Sequence, residues 1–335
     1  MAIIFSENSG LNDDLFKDAD VKIRSIMLDA DQKKNKYDDT LNAMFNVQNS
    51  ERFAEKQSSV TEFSNFEIVP EGGNAIQDEI QQGFNKLIIH EQLMKNFTVT
   101  KTMLEDNQFP EVRKNAMSYV NSYKRSRLDE ATALLTGATA TSVTWGGKAL
   151  DTTTGDGKAL FATDHPYADG SGAQSNVFTN AFGSDDTALF GLANIGNNFK
   201  NQSGHKMDYE FDTLMIPSNV PAIERLAKKI IASDNQVGND YNDVNVSKGK
   251  WKLIVNPLWT VDPTAKVPYI IMSSEANRLL NGNMFYDRVP LTVDEWIDHG
   301  TANLNFTGRY RVGCGFNIWQ HIILGGAAAG TNASV

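Results

Sequence analysis

One long helix near the middle of the chain constrains the fold more than any other feature. Residues 105–137 read EDNQFPEVRKNAMSYVNSYKRSRLDEATALLTG, with Asn107 as a possible N-cap, Pro110 in the first turn and Gly137 at the end. Apolar or aromatic residues recur mostly three or four positions apart, at Val112, Ala116, Val120, Tyr123, Leu128, Ala131 and Leu135. We predict a helix within 107–137, of about 27 residues between its two caps and roughly 40 Å long. Its single apolar stripe makes it a scaffold for a flat sheet.

The rest of the chain is long enough to form two lobes. Its 335 residues exceed the size at which a single core usually stops growing. No apolar run approaches the roughly 20 residues of a membrane span, and the start, MAIIFSENSG, lacks the features of a signal peptide. The one cysteine, Cys314, cannot form an internal disulfide, and we expect it to be a small apolar filler. A cytoplasmic origin is therefore expected.

The charge balance argues against one class of function. With a formal net charge of -10, the chain is a poor candidate for tight, sequence-independent DNA binding, which needs clustered Lys and Arg. Lys124, Arg125 and Arg127 form the nearest basic cluster. We interpret it as the solvated face of the long helix.

The amino-terminal third is predicted to contain an arm and a long excursion. Residues 1–60 are polar with spaced apolar positions, which indicates short amphipathic helices that other parts of the chain or other subunits must order. In 61–104, residues 66–69 are strand-like, and a turn follows. The alternation of Phe97, Val99, Lys101 and Met103 completes the pattern of a two-stranded ribbon. Because a lone ribbon is barely stable in water, we expect it to pack on a neighbouring subunit.

The second half alternates strands with helices. Residues 138–180 are rich in Thr, Gly, Asp and Ser, which predicts short strands and long loops. Strands FDTLMIP, WKLIVNP and PYIIMSS are interspersed with helical patterns, which favours a sheet covered by helices. The last part is strand-rich with glycine turns.

The motif search leaves one candidate for chemistry. A P-loop and an EF-hand are rejected on spacing, because Thr152 and Lys34 stand where each motif requires glycine. Asp164, His165 and Asp169, with His205 or Asp208 from elsewhere, could hold a metal for a hydrolase. The competing interpretation is a surface turn, because Pro166 makes the preceding residue extended and Asp169 precedes a glycine. We favour the surface turn, and predict no catalytic, metal or cofactor site.

The order of parts resembles a known family. The stretches that carry the resemblance are VPEGG (69–73), LFATDHPYADGSGAQSN (160–176), KNQSGHKMDYEFDTLMIPSN (200–219) and VNPLW (255–259). Together they look like the major capsid proteins of tailed bacteriophages, and specifically like the Mu-like major head subunit group. The resemblance covers roughly residues 60 to 325 and implies the α+β Hong Kong 97-type capsid fold.

The resemblance implies a division of the chain. An amino-terminal arm would occupy 1–60, an extended loop 61–104, and a peripheral domain 105–184 with its spine helix at 107–137. An α/β axial domain would follow at 185–290, and return strands and a tail at 291–335. The extended loop would touch a neighbouring subunit through Pro70, Glu71, Gly72, Gly73 and Asn74. The polar loop 233–245 would face a symmetry axis through Asn235, Gly238, Asn239 and Asp240.

The implied function is a self-assembling icosahedral shell of hexamers and pentamers that encloses phage double-stranded DNA without sequence-specific binding. The virion would be assembled in the bacterial host cytoplasm, without a membrane or cofactor. Portal and scaffolding proteins are expected partners, with scaffolding supplied separately because the arm is short. The acidic subunit would repel packaged DNA. Two alternatives stay open: a cellular nanocompartment shell of the same fold, and the metal-dependent hydrolase.

Overall fold

The computed structural model describes most of the chain. The described residues are 4–5, 14–60, 66, 68–74, 82–106, 108–167, 172–183, 185–201, 204–236, 244–298, 300–301 and 303–326. The helices are α1 (Asp14–Gln32), α2 (Lys36–Met44), α3 (Lys101–Glu105), α4 (Phe109–Thr136), α5 (Thr187–Asn197), α6 (Pro221–Ala232) and α7 (Ser274–Leu279). Within these residues, no helix has the length and apolar character needed to cross a membrane.

Strands of very different lengths complete the secondary structure. They are β1 (Ile4–Phe5), β2 (Asn46–Asn49), β3 (Ala54–Val60), β4 (Gln82–Ile89), β5 (Glu91–Val99), β6 (Ser142–Trp145), β7 (Lys148–Asp151), β8 (His165–Pro166), β9 (Ala173–Gln174), β10 (Thr213–Pro217), β11 (Lys252–Asn256), β12 (Tyr269–Met272), β13 (Asn283–Asp298), β14 (Asn303–Phe316) and β15 (Ile322–Gly325).

The predicted long helix is confirmed as α4, which spans 28 residues and ends at Gly137. The predicted cap, Asn107, lies outside the described residues, and Gln108 occupies the N-cap position without a side-chain hydrogen bond. The whole predicted apolar stripe is buried, because α4 lies between a sheet and the two amino-terminal helices. Close approach to the sheet needs a glycine: a Cβ on Gly308 of β14 would lie 2.1 Å from the Tyr119 hydroxyl oxygen.

The five-stranded sheet beside α4 is built on one long hairpin. Its strand order is β1-β13-β14-β5, and β2 pairs with β13 in parallel next to the hairpin. β13 and β14 are antiparallel, with register shifts between Asp287 and Val289 and between Val289 and Thr292. Pro290 lies inside the shifted part, where it has no N–H to give to the ladder.

A four-stranded mixed sheet forms the second lobe, in the order β11-β10-β12-β15. All five residues of β10 are buried, as expected for a central strand with both faces covered. The predicted alternation of strands and helices is therefore confirmed. The sheets divide the chain differently from the predicted ranges 185–290 and 291–335, because β13 starts at Asn283 and β15 joins the four-stranded sheet.

The amino-terminal helices pack within the same chain. Ile23 and Met27 of α1 and Leu41 and Met44 of α2 are buried, and both helices contact α4. The sequence predicted that these helices are ordered by other parts of the chain or by other subunits. The structure shows the first of these, packing against α4 of the same chain.

The prediction that the basic cluster on α4 is solvated is wrong for two of its three residues. Arg125 is exposed, but Lys124 and Arg127 are buried. The Lys124 ammonium donates to the Asp31 carbonyl oxygen at 2.6 Å, near the end of α1, and its nitrogen lies 3.3 Å from the Asp38 carboxylate. These partners explain the burial, because a buried charge needs opposite charges and hydrogen bonds.

The excursion is a shorter ribbon than predicted. β3 and β4 pair in antiparallel register from Ala54↔Ile89, whereas β5 leaves the ribbon and pairs with β14. The strand predicted at 66–69 is wrong for its described residues, since Phe66, Ile68 and Val69 are exposed and outside any ladder. The turn after it is confirmed: the Gly73 N–H donates to the Pro70 carbonyl oxygen at 2.9 Å, and Gly72 has φ +82°.

Candidate functional site

The histidine of the suspected chemical site lies in the core. Leu160, Phe161 and His165 are buried, so the prediction that this segment is a surface turn is wrong for these residues. The His165 ring stacks on Trp319 with centroids 4.3 Å apart and planes at 9°. Asp164 does point outward, where its carboxylate pairs with the Lys158 ammonium at 2.5 Å.

The two ring nitrogens of His165 both face acceptors. Nδ1 lies 2.7 Å from Asp156 Oδ2, and Nε2 lies 3.3 Å from the Leu160 carbonyl oxygen. These two contacts fix the orientation of the His165 ring in the core.

Asp156 is held in its ionised form by its surroundings. Burial raises its pKa, but hydrogen bonds from the His165 ring, the Thr154 hydroxyl and the Lys158 backbone N–H, together with the charge of His165, leave it below its ordinary value. The stabilisation from this carboxylate is present above its ordinary pKa of about 3.9 and is lost as the pH falls through the lower folded value.

The remaining members of the suspected set do not complete a metal site. Asp169 lies outside the described residues. The backbone N–H of His205 donates to the side-chain oxygen of Asn201, and the Asp208 carboxylate lies 3.4 Å from the Lys206 ammonium. Among the described residues, no three His, Cys, Asp or Glu side chains come together to hold a metal ion. The sequence analysis did not identify Asp156 as the partner of His165. The only signal in the sequence is the turn-forming pair of Asp156 and the following glycine, nine positions before His165.

We expect His165→Ala to lower the free energy of unfolding by about 2 kcal/mol, because the Asp156 carboxylate loses a hydrogen-bond partner inside the core. Urea unfolding at pH 7 measures this, with exposed Asp164→Ala as the matched control, for which little change is expected. The hydrolase alternative requires the opposite result: stoichiometric metal in the purified protein, and an activity lost in the variant while its stability is unchanged.

The ribbon base is fixed to the body of the protein. The buried Lys86 of β4 donates to Asp151 Oδ2 at 2.6 Å and to the Thr153 hydroxyl at 2.7 Å. The opposite face of β4 carries Leu87 and Ile89, which are about half exposed. One ribbon face thus anchors the strand pair and the other presents apolar side chains to the outside.

The ribbon tip exposes a second apolar surface. Phe66 and Ile68 are fully exposed, and Val69 is partly exposed. The turn that follows them is also exposed at all five predicted contact residues: Pro70, Glu71, Gly72, Gly73 and Asn74. Exposed apolar side chains gathered in one place mark a site of protein contact more often than scattered ones do.

The base of the polar loop 233–245 is held by buried side chains. The Asn245 amide donates to the Ile230 carbonyl oxygen at 2.6 Å and to the Ser233 carbonyl oxygen at 2.9 Å, at the end of α6. The Ser247 hydroxyl donates to the buried Asp186 carboxylate at 2.6 Å. These contacts fasten both sides of the loop to the second lobe.

Of the four predicted axis-facing residues, the structure describes one, Asn235. Asn235 forms a bridge with Val244 at the base of the loop, and its carbonyl oxygen accepts from the Ser233 hydroxyl at 2.7 Å. Gly238, Asn239 and Asp240 lie outside the described residues. Val244 and Val246 are exposed on either side of the buried Asn245.

Comparison with solved structures identifies the fold. The capsid of an empty GTA particle superposes with a TM-score of 0.51 at 12% identity, over 88% of this chain and 90% of that one. A chain of Microbacterium phage Oxtober96 gives 0.50 at 11% identity, over 84% and 89%. A chain of Mycobacterium phage Bobi gives 0.50 at 13% identity, over 85% and 89%. The α+β Hong Kong 97-type fold predicted from the sequence is thus confirmed.

Comparison with protein families identifies the kind of protein. No curated sequence matches this chain. The model of the phage capsid protein family matches residues 94–324, which is more than half of the chain. The chain belongs to the phage capsid protein family, and is a major capsid protein of the tailed-phage type, a structural subunit of the virion shell and not an enzyme.

Proposed function

We propose that this subunit assembles as hexamers and pentamers into an icosahedral shell around phage double-stranded DNA. The observation that carries the proposal is the capsid-family match over residues 94–324. Assembly takes place in the bacterial host cytoplasm with separate scaffolding and portal proteins, and the shell reads no DNA sequence. Membership of the Mu-like group stays a prediction.

In this proposal the two lobes take different places in the shell. The five-stranded sheet with α4 forms the peripheral domain, and the four-stranded sheet with α5 and α6 forms the axial domain. The loop 233–245 then faces a fivefold or sixfold axis. Its clamped base supports the proposal, because subunits that converge on an axis need a fixed platform there, and the exposed Val244 and Val246 supply apolar surface beside it.

The proposed neighbour contact runs through the ribbon tip. Phe66 and Ile68 have no burial partner within the described chain, and the contact residues 70–74 follow them directly. Burying one such side chain contributes about 1.5–3 kcal/mol. Because every copy in a closed shell repeats the contact, a small change in each copy has a large effect on assembly.

We expect the double variant Phe66→Ser and Ile68→Ser to abolish or strongly reduce shell formation while its melting temperature stays within a few degrees of the parent. Negative-stain electron microscopy and sedimentation measure assembly, and calorimetry of the unassembled chain measures stability. Val21→Ser, at an exposed apolar position on α1, is the matched control.

Normal shells from the double variant would refute the tip contact. Shells of the parent protein that form in the phage-infected host and contain no nucleic acid would favour the nanocompartment alternative.

A further inference from the structure

An open groove runs between α4 and the edge strand β5, with α2 at one end. Its volume is about 320 Å³. Phe97 and Tyr119 contribute aromatic surface, with ring centroids 4.9 Å apart. The polar part of the lining includes Lys95, Arg125, Ser118, Asn121 and Ser122.

The groove is a basic site in an acidic protein. Two cations line it, and no described lining residue carries a carboxylate, whereas the whole chain has a formal net charge of -10. The nearest acidic residue on α4 after Arg125 is Asp129, one turn further on, and its carboxylate accepts from Trp145 Nε1 at 2.9 Å. Arg125 is exposed on α4.

The hydrogen bonds inside the groove leave donors available. The Lys95 ammonium donates to the Ser122 hydroxyl at 3.0 Å, and the Tyr119 hydroxyl donates to the Lys95 carbonyl oxygen at 2.7 Å, which holds this part of β5 against α4. The Asn121 side-chain oxygen accepts from Asn35 at 3.3 Å, so its remaining polar group is the NH₂ donor. Lys95 and Arg125 have only donors, and Ser118 adds a hydroxyl.

This set of groups matches one ligand chemistry. Proteins contact the phosphates of nucleic acids through Arg, Lys, Ser, Asn and Tyr side chains, and such contacts carry no sequence information. We propose that the groove between α4 and β5 binds the phosphate backbone of double-stranded DNA. The proposal rests on the proposed function, since it takes the enclosed genome as the ligand. It makes the subunit surface locally attractive to a polymer that its net charge repels.

The test is DNA binding by the purified full-length chain in its unassembled form. Anisotropy of a fluorescent, mixed-sequence DNA duplex is measured from 50 to 200 mM salt for the parent and for Arg125→Ala, Lys95→Ala and Arg113→Ala. Each lost phosphate contact reduces the slope of log affinity against log salt by about 0.9, and weakens binding about eightfold at 0.1 M salt. We expect these losses in the first two variants. Arg113→Ala is the matched control, because Arg113 is an exposed cation on the same helix outside the groove.

Three outcomes would overturn the proposal: no binding by the parent chain, an unchanged slope in the groove variants, or an equal loss in Arg113→Ala. Electron microscopy of the same variants provides a separate measurement. If the groove variants bind DNA normally but fail to form shells, the groove is a contact between subunits and the proposal is wrong. Failure of every variant and the parent to form shells would count against the proposed function and leave the binding result standing.

Discussion

Arg127→Ala is expected to destabilise the unassembled chain by about 3–5 kcal/mol, the usual cost of breaking a buried ion pair from one side. Arg127 Nη2 lies 2.6 Å from Asp287 Oδ2, and both side chains are buried. Its Nη1 lies 3.4 Å from the Asp38 carboxylate of α2. Removing the guanidinium therefore leaves a buried carboxylate on β13 without its counter-charge. Urea unfolding at pH 7 measures the loss.

Two further variants show whether the lost pair is the cause. Adding Asp287→Asn to Arg127→Ala removes the uncompensated charge, and is expected to restore part of the stability. Arg125→Ala removes a cation two positions earlier on the exposed side of α4, and is expected to change stability by less than about 0.5 kcal/mol. Equal effects of Arg125→Ala and Arg127→Ala would contradict the explanation.

The free energy of unfolding is expected to fall by about 3 kcal/mol between low and neutral pH because of one buried carboxyl group, that of Glu130. Glu130→Gln is expected to remove most of this pH dependence. Glu130 is buried between α4 and β14, with Cys314 Sγ 3.5 Å from its Oε1 and no described partner for Oε2. Burial raises the pKa of Glu130 to about 7; the nearby Glu91 and Asp129 carboxylates also raise it, while the hydrogen bond with Cys314 and the charge of Arg127 lower it.

The sign of the effect follows from the two states of the chain. The unfolded chain ionises this carboxyl from about pH 4.3, whereas the folded chain keeps the proton until about pH 7. Stability is therefore lost as the pH rises from about 4 to 7, and the loss is complete above that range. The glutamine variant should show a smaller stability difference between pH 4 and pH 8 than the parent.

The pH difference is a better readout than the stability at one pH, because a buried glutamine brings hydrogen-bonding needs of its own. Glu111→Gln is the matched control, since Glu111 is exposed in the first turn of α4. If both variants keep the pH dependence of the parent, the buried carboxyl is not its source.

The sequence predicted the features that local chemistry determines. The apolar spacing of α4, the glycine that ends it and the turn at 70–73 are each set by a few neighbouring residues. The alternation of strands and helices in the second lobe is a pattern of the same kind. The family resemblance was also sufficient to predict the fold, although no curated sequence matches the chain.

The sequence could not reveal pairings between distant residues. Lys124 and Arg127 were predicted to be solvated because Lys and Arg usually are, and the carboxylate that allows Arg127 to be buried lies 160 positions away in the chain. The apolar stripes of α1 and α2 indicated that these helices need a packing partner, but they did not show that the partner is α4. The predicted ribbon is too long, because the alternation of apolar and polar residues in β5 fits a ribbon strand and an edge strand of the larger sheet equally well.

The same limit applies to the suspected catalytic residues. His165 and Asp164 are neighbours in sequence, yet one is buried and the other is exposed, as alternation along an extended segment requires. Their spacing fitted a chemical site and a structural one equally well. The tip residues, the loop residues and the domain boundaries remain predictions that assembly experiments can test.

The clamp formed by Asn245, Ser247 and Asp186 has a consequence for protein engineering. The Asn245 side chain holds the described ends of the loop together through the Ser233 carbonyl oxygen, and this contact does not depend on the length of the chain that joins them. In general, doubling the length of a loop costs only about 0.6 kcal/mol. We therefore expect a short peptide inserted between these ends to change the free energy of unfolding by less than about 1 kcal/mol.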